Sequence, residues 1–249
     1  MGYVIAIAGK GGTGKTTIAA SLIRIMKEKR LGSILAIDAD PNSNLAELLG
    51  VETKQTIGSV LDDISAHPEK VPQDMSKDRF LEYQVMTGIC EEDGFDILTM
   101  GRPEGPGCYC YVNNVLRGII GKLVSDYKYV IIDNEAGLEH FSRRTTRAAD
   151  ALVIISDAAA SGLRAARRML ALIKELKIPV KKSFLLINRL IGQLEKEKIS
   201  DLDLTFLGSV SQDEKIQSLS LDGNNIFQLD ADAPSLVTLR KIGDKIWQN

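Results

Sequence analysis

Residues 9–17 read Gly-Lys-Gly-Gly-Thr-Gly-Lys-Thr-Thr, and nothing else in the chain restricts its fold as tightly. The pattern G-x-x-x-x-G-K-[ST] is a phosphate loop when a strand precedes it and a helix follows it. Tyr3 to Ala8 is a short apolar run, partly β-branched, and reads as a buried strand. Thr16 to Arg30 sets Ile18, Leu22, Ile25 and Met26 at helical spacing. Glycines let successive backbone N–H groups turn inward onto anionic oxygens. The helix N-terminus adds its partial positive charge. Gly11, Gly12, Thr13, Gly14 and Thr17 then form a cradle for the phosphates of a nucleotide. Lys15 reaches the β- and γ-phosphates, and the Thr16 hydroxyl ligates Mg²⁺.

The rest of the composition suits such a fold. At 249 residues the chain fits one α/β domain, residues 1–249, and 44% apolar residues supply its core. Such a domain has a mostly parallel central sheet flanked by helices. The net charge of −2, with both signs interspersed, gives no basic footprint for nucleic acid. Met1 leads almost directly into the first strand, so no signal peptide is expected. No apolar run approaches the ~18 residues of a membrane span. Three cysteines without a secretory signal point to the cytoplasm, where clustered thiols serve metals or redox chemistry.

Further apolar strands are expected at Ser33 to Ala39, Phe95 to Met100, Tyr127 to Ile132, Ala151 to Ser156, Ser183 to Ile187 and Thr205 to Val210. Two of them end in carboxylates. Acidic residues at the carboxyl end of a strand in an open α/β sheet face the ligand crevice. Asp38 and Asp40 follow the second strand, and Asp133 occupies the Walker B position, where a carboxylate serves Mg²⁺. Gly137 is spaced to offer its N–H to the γ-phosphate. Asn42 and Ser43 read as N-caps of a helix from Asn44 to Leu49. Residues 51–94 are less legible. Thr56 to Ala66 looks helical, and His67-Pro68 and Val71-Pro72 interrupt the pattern. His67 and His140 read as loop and surface residues, and Cys90 as a small buried hydrophobe. Arg143, Arg144, Arg147, Arg164, Arg167 and Arg168 read as solvated faces. The amphipathic tail, Ser235 to Asn249, reads as a terminal helix docked on its own domain.

Gly105-Pro106-Gly107-Cys108-Tyr109-Cys110 is the second informative stretch. Two thiols one residue apart can converge on a soft metal ion. A closed tetrahedral site uses four ligands, and a two-fold dimer would supply the other pair. A helix beginning near Tyr111 would set its N-terminus behind the thiols and favour thiolates.

The early Lys10, the D-x-D-P stretch at Asp38, D-N-E-A-G at Asp133 and the N-R pair at Asn188 resemble the deviant Walker A group of the nitrogenase iron protein, MinD and ParA. The resemblance implies an ATP-driven homodimer in which Lys10 reaches the partner's phosphates. It also implies that Asp40 positions the attacking water and that Asp38 lies near Mg²⁺ or its waters. Asn188 would read the adenine edge, with Arg189 beside it and Asp213 close to further adenine contacts. Within the group, C-Y-C after Gly-Pro-Gly and A-G-L-E-H after Asp133 are similar to the CooC-type ATPases. Those proteins assist nickel insertion into carbon monoxide dehydrogenase and acetyl-CoA synthase. That likeness implies a metal at Cys108 and Cys110, nickel in the family, although thiolates suit Zn²⁺ equally well. An iron–sulfur reductase would need a cysteine just after the second switch, and Leu138 to Ser142 contains none. A positioning ATPase that binds DNA or membrane leaves the C-Y-C without a role.

Overall fold

The computed structural model describes residues 2–101, 109–135 and 148–247. It is a single α/β domain built on an eight-stranded sheet. The strands are β1 (Tyr3–Gly9), β2 (Ile34–Asp38), β3 (Cys90–Glu92), β4 (Phe95–Thr99), β5 (Tyr129–Asp133), β6 (Ala149–Ser156), β7 (Val180–Leu190) and β8 (Thr205–Ser211). Their order in space is β3-β4-β2-β5-β1-β6-β7-β8, and every pairing is parallel except β3 with β4. The strand that feeds the phosphate loop therefore lies inside the sheet, between β5 and β6.

Both faces of the sheet are covered, which explains the nearly unbroken apolar strands. Along β1, Ile5 and Ile7 enter one core, and Val4, Ala6 and Ala8 enter the other. The first core lies under α1 (Lys15–Glu28), α2 (Asn44–Leu48), α7 (Glu214–Leu221) and α8 (Pro234–Trp247). The second lies under α3 (Ile57–Ala66), α4 (Lys77–Thr87), α5 (Tyr109–Asp126) and α6 (Ala160–Glu175). Each isoleucine buried in these layers contributes about 1.5–3 kcal/mol. In α8, Leu236, Leu239, Ile242 and Ile246 all face the first core, and the Tyr3 hydroxyl donates to the Ile246 carbonyl at 2.8 Å. The tail is thus a docked helix. Among the described residues no helix is long and apolar enough to cross a membrane.

The sequence pattern did not announce two elements. Helix α4 buries only Leu81 and Val85, too few residues for a clear helical period. Strand β3 is three residues long and two of them are exposed glutamates. It carries Cys90, half-buried and packed against the first core. Helix α5 starts at Tyr109, earlier than expected, so Cys110 falls within its first turn. Cys108, Gly137, His140, Arg143, Arg144 and Arg147 lie outside the described residues, and Cys110 is described by its backbone alone.

Candidate functional site

The loop leaves β1 at Gly9, where a Cβ would stand 2.3 Å from the Ile155 carbonyl of β6. Gly12 and Gly14 take φ of 80° and 88°, the left-handed region that favours glycine. Thr13 is buried and its hydroxyl donates to the Lys10 carbonyl at 2.8 Å, closing the turn. Gly14 is the N-cap of α1, with no side-chain cap and no acid in the first turn. The first amides of α1 are therefore left for an anion. Lys15 opens the helix and is buried, with Thr16 next to it.

Strand β7 grips the loop from the side. Its ladder to β8 is irregular between Ile187 and Leu190, and Arg189 has φ of 54°. That bulge brings two side chains to the loop. Asn188 Nδ2 donates to the Thr13 carbonyl at 2.9 Å, and Arg189 Nη1 to the Gly12 carbonyl at 2.9 Å. A cavity of about 380 Å³ opens beside them, lined by Thr17, Asn188, Arg189, Gln212, Asp213 and Leu239 among others. Asp213 sits in its wall, but its carboxylate is committed. Oδ1 accepts from the Lys215 amide at 3.0 Å as the cap of α7, and Oδ2 accepts from the Ser235 amide at 3.1 Å.

The acidic edge lies at the carboxyl ends of β2 and β5, where Asp38 and Asp133 are in register. Both are essentially inaccessible to solvent. Burial pushes the Asp133 carboxyl up to about 7, aided by Asp38 and Asp40 and opposed by the Thr16 hydroxyl and Lys15. Neither Asp133 oxygen has a hydrogen-bond partner among the described residues. Burial likewise pushes Asp38 up to about 6, against the pull of backbone amides. Orphaned carboxylate oxygens beside a hydroxyl are hard oxygen donors of the kind Mg²⁺ selects, with nucleotide phosphates and water completing the shell. The residues present fit that ion. Asp40 is half-buried, and its Oδ1 accepts from the backbone amide and the Nδ2 of Asn42, both at 2.9 Å.

Ser43 does not cap α2 as its position suggests. It has φ of 55° and no side-chain cap bond, and the Leu45 amide is taken by Asp38 Oδ2 at 2.8 Å instead. The capping group comes from a strand end seven residues away, which no local spacing reveals. Asn134 carries no local sequence signal either; its Nδ2 donates to the Ile7 carbonyl at 2.9 Å and ties the end of β5 to β1. Lys10 is exposed, its Nζ 3.5 Å from Ser161 Oγ at the start of α6. Among the described residues no group of three or more His, Cys, Asp or Glu side chains is gathered to hold a metal ion.

Residues 4–226 match the family described as the CobQ/CobB/MinD/ParA nucleotide binding domain. The chain belongs to that family. An uncharacterized ATP-binding protein of Methanocaldococcus jannaschii is 38% identical over 248 residues, covering 98% of each chain. The carbon monoxide dehydrogenase accessory protein CooC of Rhodospirillum rubrum is 32% identical over 240 residues, covering 90% of this chain and 89% of its own. Among solved structures, MinD of Pyrococcus horikoshii complexed with Mg-ADP superposes with a TM-score of 0.72 at 20% identity, over 100% of this chain and 97% of that one. The likeness establishes a shared fold. Membership of the CobQ/CobB/MinD/ParA family and an intact phosphate loop make this chain an ATPase.

Proposed function

We propose that this ATPase is a homodimeric metallochaperone of the CooC type, carrying nickel, or zinc in vitro, on Cys108 and Cys110 to carbon monoxide dehydrogenase or acetyl-CoA synthase. One observation carries the reading: β4, the strand that precedes the C-Y-C segment in the chain, ends beside the acidic edge. Thr99, the last residue of β4, pairs with Asp38, and the Met100 amide donates to the Asp38 carbonyl at 2.8 Å. Seven residues beyond Gly101 comes Cys108, and Cys110 lies in the first turn of α5. The chain thus runs from the edge that carries Asp38 towards the two cysteines within a few residues of sequence. The CooC relative, similar along nearly the whole chain, supports the same assignment.

In this reading the α1 amides, Gly12, Gly14 and Lys15 hold the phosphates. Thr16 and Asp133 would hold Mg²⁺, which would supply charge neutralisation at the phosphates. Asp40 orients the attacking water, and Gly137 senses the γ-phosphate. Asn188 and Arg189 flank the adenine cavity, with Asp213 in its wall. Phosphoryl transfer to water needs chiefly this positioning and charge stabilisation. Lys10 reaches the partner subunit, and hydrolysis changes how the two C-Y-C motifs face each other. Metal is held in one nucleotide state and surrendered in another. The protein works in the cytoplasm without nucleic acid or lipid. The buried apolar face of α8 argues against a lipid-binding tail.

Metal content tests this. Wild type with ATP should carry about one ion per two chains, and Cys108→Ser/Cys110→Ser should carry none. Equal metal content in both proteins would overturn the cargo role. Salt-dependent DNA binding or vesicle binding by a metal-free wild type would favour a MinD-like or ParA-like positioning ATPase instead.

A further inference from the structure

Asp38 and Asp133 are neighbours in register, both buried, and by residue type either suits a cation. Their oxygens are used differently. Both Asp133 oxygens are unpartnered among the described residues. Asp38 Oδ1 accepts from the Asp40 amide at 3.1 Å, and its Oδ2 accepts from the Leu45 amide at 2.8 Å, with the Ala46 amide also on the carboxylate. These donors bracket the loop that carries Asp40. The left-handed turn at Ser43 brings the start of α2 back onto Asp38, and Asn42 fixes one oxygen of Asp40 inside the loop.

We infer that Asp38 is a positioning residue: its carboxylate, engaged by the amides of Asp40 and Leu45, fixes the loop that aims Asp40, while cation binding falls to Asp133 with Thr16. The inference rests on reading this edge as the Mg²⁺-nucleotide site. Turning Asp38 onto a metal would strip the amides at both ends of the loop of their acceptor, and such unpaired groups are costly when buried. Leaving it in place keeps Asp40 aimed in every nucleotide state.

Three proteins decide the matter: the full-length wild type, Asp38→Asn and Asp133→Asn, titrated with Mn²⁺ in the presence of ADP by electron paramagnetic resonance. Asp133→Asn should weaken Mn²⁺ binding at least tenfold, and Asp38→Asn by less than about threefold. Asp38→Asn should nonetheless lower kcat about a hundredfold with KM for ATP little changed, as small misplacements near the chemistry do. Adding Ser43→Gly, which removes the strain of the left-handed turn, should restore kcat about fivefold or more. Equal loss of Mn²⁺ affinity in the two variants would overturn the inference. In the wild type, the Asp40 and Leu45 amides should stay protected from hydrogen exchange when Mg²⁺ and ADP are added. Their deprotection on metal binding would overturn it however the variants fold. A wild type that binds no Mn²⁺ with ADP would remove the nucleotide-site reading itself. Retained wild-type binding with equal losses in the variants would sink the role of Asp38 alone.

Discussion

At Asp133 a carboxylate sits in a nearly water-free sheet edge with no hydrogen bond of its own, and its pKa records the cost. Its ordinary value is 3.8, and burial pushes it up to about 7 in the folded protein, with Asp38 following to about 6. A carboxyl raised on folding binds its proton more tightly folded than unfolded. The stability it contributes is full below the unfolded value and is lost as pH rises through the folded one. The nucleotide-free protein should therefore lose stability, on the order of several kcal/mol, between about pH 4 and about pH 7, the unfolded and folded values of Asp133. Mg²⁺ with ADP needs the ionised form, so it should restore stability at the alkaline end. Melting curves across that range, with a chelator and with Mg²⁺ and ADP, check both statements. Asp133→Asn should flatten the slope; a wild-type profile already flat in chelator would contradict the burial argument. This residue was legible from its place at the end of an apolar strand. The division of labour with Asp38 was not, because it depends on which amides fold back over the strand end.

Among the elements, the strands and long helices could be read wherever burial is deep and periodic, as in β1 and α1. Legibility failed where an element buries little, as in α4 and β3; in α2 the helix itself was read and only its remote cap was not. Helix α1 shows a further link that no pattern predicts. Arg24, on its buried face, donates through Nη1 to the carbonyls of Ile226 at 2.6 Å and Leu229 at 2.7 Å, and through Nε to Glu28 at 2.8 Å. Glu28 in turn accepts from Arg240 of α8 at 2.9 Å. This network fastens the phosphate-loop helix to the segment leading into α8, whose Leu239 lines the cavity beside Asn188 and Arg189. Arg24→Met keeps much of the stem's packing but leaves two buried carbonyls without a charged donor. It should cost about 2–4 kcal/mol, read as a lower denaturant midpoint. A loss below about 0.5 kcal/mol would mean that the network is not holding α1 to α8.

For the whole molecule, the question is what the phosphate loop does beyond its own subunit. Seven of the eight strands, the covered faces and the docked tail follow from apolar strands alternating with amphipathic helices, and they were readable as such. Pairing was not readable, since a lysine beside an anion site serves equally well in its own chain. The structure sharpens that choice. Lys15 is buried at the head of α1, whereas Lys10 is exposed with its Nζ near Ser161 on α6. A cation held in solvent at the rim of the site adds little to binding in its own subunit, because water screens it. It gains most where a second copy closes over the triphosphate and excludes that water. Lys10→Ala should thus keep ATP affinity within about threefold yet fail to form the ATP-dependent dimer, while Lys15→Ala should lose ATP affinity outright. Sedimentation with a slowly hydrolysed ATP analogue, beside a binding titration of the same samples, separates the two. If Lys10→Ala loses affinity as Lys15→Ala does, and the wild type stays monomeric with the analogue, the lysine acts within its own chain. A pair of C-Y-C motifs would then have no nucleotide-driven reason to meet.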